Sequence, residues 1–409
     1  MYHTHTQDRP QRGTHWGLWL VCLFGMVLAG FILMVREPMW IQYVGEQGWQ
    51  GKQVLEMQSY GAWVSVVGVL LWAMLADVWG RKQALLLAWV GLALALGGMW
   101  LLPSYFEVLK WVHLLSALAL TGIPVVSVVW CWENSPRLRY GLSALLMSGF
   151  ALGMLAAHVL DYADLVAITA TQGLLMVGAG CVLVVGILAM LAPQTLLENM
   201  DDTSSQMPYA AGQLPRHDWA AWIKNLLVYG AILGLSLAVS QGLQDYVRSV
   251  VMNMDSNTHK MAHVNQVLAI MTTGGLALGL WVSGWGMQFV GRLTALWGLC
   301  ILALACMAYM TWQPSMFHDF NGAWVLMGAH LGLGSLMWWS TALAAASVAH
   351  HRCSAWALVS VGGVMMAASI HHQLPDWAQG ERFAFEYYAA MMVMMAFLIA
   401  WIRKPQVMD

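Results

Sequence analysis

The sequence predicts an all-α membrane protein of twelve transmembrane helices in two pseudo-symmetric six-helix bundles. Three observations predict it. The chain of 409 residues is 60% hydrophobic and only 9% charged, against roughly 25% charged in soluble domains. Apolar stretches of about 20 residues, the length that carries a helix across a bilayer core, recur from Trp16 to Trp401. A short loop pattern also recurs 211 residues further on. A barrel is excluded because its strands would alternate over only about 10 residues each. The net charge of -2 carries no nucleic-acid signal.

Apolar stretches between polar breaks place the spans near 16–40, 55–76, 83–103, 106–132, 141–160, 166–192, 219–247, 261–285, 293–312, 321–347, 354–372 and 384–402. The first follows a polar segment and exceeds a signal-peptide core of about 7–15 residues, so it reads as an uncleaved span. With the N-terminus inside, twelve of the eighteen Lys and Arg residues fall in cytoplasmic segments. That bias predicts cytoplasmic N- and C-termini by the positive-inside rule. The longest polar break, 193–218, holds Glu198, Asp201, Asp202 and three prolines. It divides the chain into an N-terminal bundle at 1–192, a cytoplasmic linker at 193–218 and a C-terminal bundle at 219–409. Six cysteines lie in apolar stretches or inside loops and read as packing residues. No N-x-S/T acceptor occurs, which agrees with a bacterial inner membrane.

The repeat supports the division. Ala73-Met-Leu-Ala-Asp77-Val-Trp-Gly80-Arg81-Lys82 follows span two, and Gly284-Trp-Gly-Met-Gln288-Phe-Val-Gly291-Arg292 follows span eight. In each, a glycine permits a tight turn and a cation anchors at an anionic face. Asp77 sits at a helix end, where backbone donors lack partners.

The first of these loops resembles the signature between spans two and three of the major facilitator superfamily, with Ala73 for its first glycine and Val78 for its usual basic residue. Trp132-Glu133-Asn-Ser-Pro136-Arg137-Leu-Arg139-Tyr-Gly141 is similar to the E-x-x-P-x-x-R-x-G ending of span four in the family's sugar and metabolite porters. The resemblance implies two bundles that rock about a central site, with spans one, four, seven and ten lining it. It also implies that Asp77 belongs to a charge network that latches the outward-facing state, and that Glu133 pairs with Arg137, Arg139 or a basic residue of the other half. Gln288 has lost the charge, so the latch is expected to be asymmetric. Antiporters of the family carry a glycine-proline motif in span five. Here Gly149 and Gly153 remain as a packing seam without the proline, which points to a symporter or facilitator over a drug efflux pump.

Polar side chains at membrane depth are costly and are therefore functional candidates. Span one carries Arg36 and Glu37 before Pro38, which is expected to disturb the helix. In span seven Gln241, Gln244, Asp245 and Arg248 share one helical face. An arginine here holds a carboxylate or phosphate of the solute while Glu37 or Asp245 titrates, or the cluster is an outer gate. Span ten brings His330 near the midplane, as a proton shuttle, solute ligand or packing donor. Trp338 follows it as a wall of the site or as packing. In span four Lys110 reads as a snorkelling cation and His113 as a deeper candidate. His158 and Asp161 end span five, and Glu56 and Gln58 open span two, where water is expected.

Thirty methionines and fourteen histidines raise a copper reading. Met391 and Met395 on span twelve read better as flexible packing, so no metal or cofactor is expected. No phosphate-binding glycine loop and no H-E-x-x-H pattern occurs, so neither ATP-driven pumping nor zinc hydrolysis is indicated. The expected partners are a small organic solute, anionic or zwitterionic, protons and the lipid bilayer, with the protein acting as a monomer. A non-transporting membrane sensor is the competing class.

Overall fold

A computed structural model of the protein describes residues 16–46, 51–101, 106–135, 138–162, 219–254, 258–290, 292–313, 321–346 and 352–373, with isolated positions near 180–187 and 390–398. Among these lie ten helices: α1 (Trp16–Glu46), α2 (Gly51–Trp79), α3 (Arg81–Leu101), α4 (Phe106–Glu133), α5 (Arg139–Tyr162), α6 (Trp219–Met254), α7 (Thr258–Phe289), α8 (Arg292–Trp312), α9 (Asn321–Ala346) and α10 (Arg352–Gln373). They are expected spans one to five and seven to eleven. Spans six and twelve and the linker fall outside the described residues, apart from a few helical positions.

Seven described helices are long and apolar enough to cross a membrane. The surface of the described helices as a whole agrees with a lipid solvent. Leu94, Leu227 and Trp312 are 66%, 69% and 87% exposed, and Trp16, Leu20 and Phe24 form an exposed stripe at helical spacing along α1. A water-soluble protein rarely shows apolar patches of this extent. The helices outrun the apolar stretches that announced them. α1 continues to Glu46 and α6 to Met254, because a helix needs only its own backbone bonds to extend past the hydrocarbon. The expected break at Pro38 does not occur: α1 runs through it. Pro124 is likewise carried inside α4. A proline removes one backbone donor, and in a membrane bundle neighbouring groups and local adjustment absorb the loss.

Within each half the helices pair in the same way. α1 packs on α5 as α6 packs on α10, α2 on α4 as α7 on α9, and α3 on α4 as α8 on α9. The close approaches repeat too. A Cβ on Gly68 of α2 would strike Thr121 and Leu118 of α4, and one on Gly279 of α7 would strike the Leu331 carbonyl of α9. Gly68 and Gly279 stand 211 residues apart, the interval of the loop repeat. The tightest seam in the first half joins α1 and α5, where a Cβ on Gly153 would lie 1.9 Å from the Val27 carbonyl oxygen. Small residues let such backbones touch, and dispersion contacts then hold helices together where lipid offers no hydrophobic drive. The halves meet along α5 with α7 and α2 with α10, with Ser148 of α5 donating to the Ala277 carbonyl of α7 at 2.9 Å.

Candidate functional site

At one end of the molecule the halves are sealed. Gly80 takes φ 99° between α2 and α3, a left-handed conformation that glycine adopts without Cβ strain. The tight turn holds Asp77 and Arg81 together, with Arg81 Nη1 2.7 Å from Asp77 Oδ1. Arg81 also donates to the Ala76 carbonyl and reaches Glu133 Oε1 of α4 at 3.2 Å. A buried arginine is tolerated only when its charge and donors are matched, and here two carboxylates match it. Arg352 of the second half approaches Glu133 at 3.8 Å. Asp77 crosses the interface: its Oδ2 accepts from Ser354 N at 2.9 Å and from Ser354 Oγ at 2.5 Å. Ser354 lies in the first turn of α10, whose backbone N–H groups lack helical partners and whose dipole favours a negative charge.

A second seal lies beside it. A Cβ on Gly284 of α7 would stand 2.1 Å from Ala144 Cβ and 2.7 Å from the Tyr140 carbonyl of α5. Trp285 covers Gly141 and stacks on Phe289 with centroids 5.5 Å apart. Ser143 of α5 and Ser354 of α10 are again separated by 211 residues, as are Asp77 and Gln288. The two seals are thus related positions of the repeat, and the first of them carries the buried ion pairs.

Away from the seals a cavity of about 270 Å³ opens between the halves, lined by α1, α5, α6, α7 and α9. Its polar lining is His158, Gln244, Thr272 and Thr273, and Met34 and Met154 form part of its apolar wall. Both threonine hydroxyls donate to the Ala269 carbonyl, at 3.0 and 2.7 Å, so their lone pairs are left for a guest. Along α7, Thr272 is about 18 Å from Gly284 at 1.5 Å per residue. A smaller, almost wholly apolar cavity of about 160 Å³ touches Thr121 and Pro124 of α4 and Trp356 and Ser360 of α10.

No family model and no curated protein matches the chain. Solved structures do. A double-tryptophan mutant of XylE superposes with a TM-score of 0.70 and 13% identity, over 96% of this chain and 97% of that one. The E. coli fucose:proton symporter FucP gives 0.68 and 10%, over 94% and 98%. The major facilitator proton:xylose symporter XylE bound to 6-bromo-6-deoxy-D-glucose gives 0.66 and 12%, over 95% of each. The chain has the major facilitator fold. At such identities the likeness is one of backbone path.

Within the major facilitator fold the sequence candidates separate. Asp77, Gly80, Arg81 and Glu133 meet at the seal, Gly284 forms its second part, and Lys82 is half-exposed at the same turn. Glu133 finds its cross-half partner in Arg352. Gln244 lines the cavity, whereas Gln241 is exposed and outside that lining. His113 is buried against Gly61 of α2, 3.2 Å from the position of a Cβ there, and lines neither cavity. Lys110 sits over the Tyr60 ring at 4.9 Å. Trp338 is 1% exposed in the core, and its neighbour Trp339 meets Tyr229 edge-on at 5.8 Å. Neither tryptophan borders a described cavity. His330 is fully buried one turn behind cavity residue Leu326. Arg137 and Gly291 lie outside the described residues, as do the side chains of Arg36, Glu37, Arg139, Asp245, Arg248 and Arg292. Span four was expected to line the site, but spans five and eight, which run along the junction of the halves, contribute to the larger cavity instead. His158, expected on the solvated rim, lines that cavity. Its spacing of one turn from Met154, on the same seam as Gly153, was the available signal.

Proposed function

We propose that the protein is a secondary transporter that moves a small polar organic solute by alternating access, coupled to protons, in a bacterial inner membrane. One observation carries this reading: a cavity between the halves stands about 18 Å from a double seal that joins the same halves. Two bundles in contact at one end with a cavity between them further along can form a crevice that rocking would invert. The positive-inside bias puts the seal at the cytoplasmic face, with 1–192 and 219–409 as the moving bundles and 193–218 as their cytoplasmic linker. The cavity then faces outward, and Asp77 latches that state through α10. The solved neighbours named as proton symporters of xylose and fucose support the proton-coupled reading.

The solute is anionic or zwitterionic if the arginines bind it. Arg36 lies two residues beyond cavity residue Met34, and Arg248 one turn beyond Gln244. A neutral, hydroxyl-rich solute is the second reading, favoured by a lining of His158, Gln244, Thr272 and Thr273 that holds no carboxylate, lysine or arginine. A thermal-shift screen of the purified protein against amino acids, dicarboxylates, pentoses and hexoses separates them, since a ligand stabilises the fold by mass action. Uptake of the stabilising compound into proteoliposomes under an inward proton gradient is the expected result. A chain that moves none of these compounds across the bilayer would be the sensor instead.

A further inference from the structure

The fully buried imidazole of His330 has one ring nitrogen bonded and the other bare. Its Nδ1 lies 2.9 Å from the Leu326 carbonyl oxygen. A carbonyl accepts only, so the neutral ring must carry its proton on Nδ1 and leave the Nε2 lone pair bare. Nε2 has no hydrogen-bond partner among the described residues, although the ring is 0% exposed. A bare buried acceptor is expensive to maintain in a membrane interior. The Ser240 backbone of α6 lies beside the ring. The Leu326 carbonyl can accept from the ring in either form, and the bare Nε2 lone pair is the position at which the ring can take a second proton.

The position connects this ring to the cavity. Leu326, its bonded neighbour, lines the cavity directly. Ser240 is one turn from the lining residue Gln244, and a Cβ on Gly275 of α7 would stand 3.0 Å from His330 Cβ, one residue from the lining residue Leu276. The ring therefore lies immediately behind the wall that α6, α7 and α9 present to the cavity. No carboxylate or cation faces it among the described side chains of these helices. Cys306 of α8 lies against Gly328, on the face of α9 turned away from the ring. Asp245 of α6 is placed by its backbone one turn beyond Gln241, with its side chain outside the described residues.

We propose that His330 is the proton acceptor of the transport cycle, a role that rests on the transporter reading above. Cavity water delivers a proton to Nε2, an N–H bond forms as the donor O–H breaks, and the ring gains one positive charge. The charge rests against the Leu326 carbonyl and is costly once water is excluded. Closure of the cavity thus depends on whether the ring is loaded and on what enters with it.

The test needs no knowledge of the solute. Protein labelled with 15N-histidine in lipid nanodiscs is titrated from pH 9 to 5, and the His330 signal is assigned by its loss in His330→Asn, with His330→Gln as the second variant. Asn keeps a donor for the Leu326 carbonyl and cannot carry a proton. Spin labels at Val78 and Leu358, near the seal, report the distance between the halves over the same range. The expected result is a neutral ring with the proton on Nδ1 at high pH, an imidazolium at low pH, and a seal distance whose pH response is lost in His330→Asn. Halves that move with pH while the ring stays neutral, or that respond equally in the variant, overturn the role of His330 alone. Halves fixed at every pH although the ring titrates overturn the transporter reading, and the proposal falls with it.

Discussion

Asp77 and Ser354 are 277 residues apart, yet one carboxylate oxygen accepts both the backbone N–H and the hydroxyl of that serine. Hydrogen bonds to a charged group are worth about 1.5–3 kcal/mol each, so this contact is large against the few kcal/mol that separate states of a moving protein. Asp77→Ala is expected to open the seal. Cys353, 0% exposed beside Ser354, is the reporter: its alkylation by a maleimide, in a background without the other cysteines, should quicken at least about tenfold. An unchanged rate would mean that other contacts hold the seal.

Glu133 matters more to stability than to gating. Its removal leaves Arg81, 5% exposed, with Asp77 as its remaining acidic partner, and breaking a buried pair from one side costs about 3–5 kcal/mol. Glu133→Ala should lower the melting temperature in detergent markedly, whereas Glu133→Gln, which keeps an acceptor for Arg81, should lower it less. Equal losses would remove the charge from the explanation.

Two glycines predict opposite phenotypes. Gly153 lies inside one half, with the Val27 backbone 1.9 Å from where its Cβ would be, while Gly284 lies between the halves. Gly153→Val should reduce the yield of folded protein, because two backbones cannot both give way. Gly284→Val should fold and fail to seal, read as faster Cys353 alkylation. Normal folding of both with intact seals would contradict the packing described.

In the cavity, Gln244→Ala and Thr272→Ala should each weaken binding of the stabilising solute by about 2- to 10-fold, the worth of one neutral hydrogen bond. Met154→Trp should fill the space and abolish the thermal shift. A shift that survives Met154→Trp would place the solute elsewhere.

The helices and their duplication were legible because lipid demands long apolar stretches and a duplicated chain repeats its turn glycine at one interval. The seal was legible at Asp77, Gly80, Arg81 and Glu133, where charges beside a tight turn have few places to go. Ser354 escaped notice: a serine opening an apolar stretch looks like any helix start, and only the fold brings a carboxylate to it. The cavity was harder to read. Depth along a span separates rim from interior, but which face of α5 turns inward depends on packing between helices, so His158 was assigned to water. Trp338 stayed open between wall and packing, since a large aromatic in a span expected to line the site can equally fill the core, and only the fold shows it buried there.

Under the proposed function the seal and the cavity are two ends of one rocking motion. Double electron–electron resonance in nanodiscs tests it with one label pair at Val78 and Leu358 and a second at Val159 and Trp324, all on exposed positions. Releasing the latch with Asp77→Ala should lengthen the first distance and shorten the second together. A longer first distance with the second unchanged, or no change in either, would contradict alternating access in this protein.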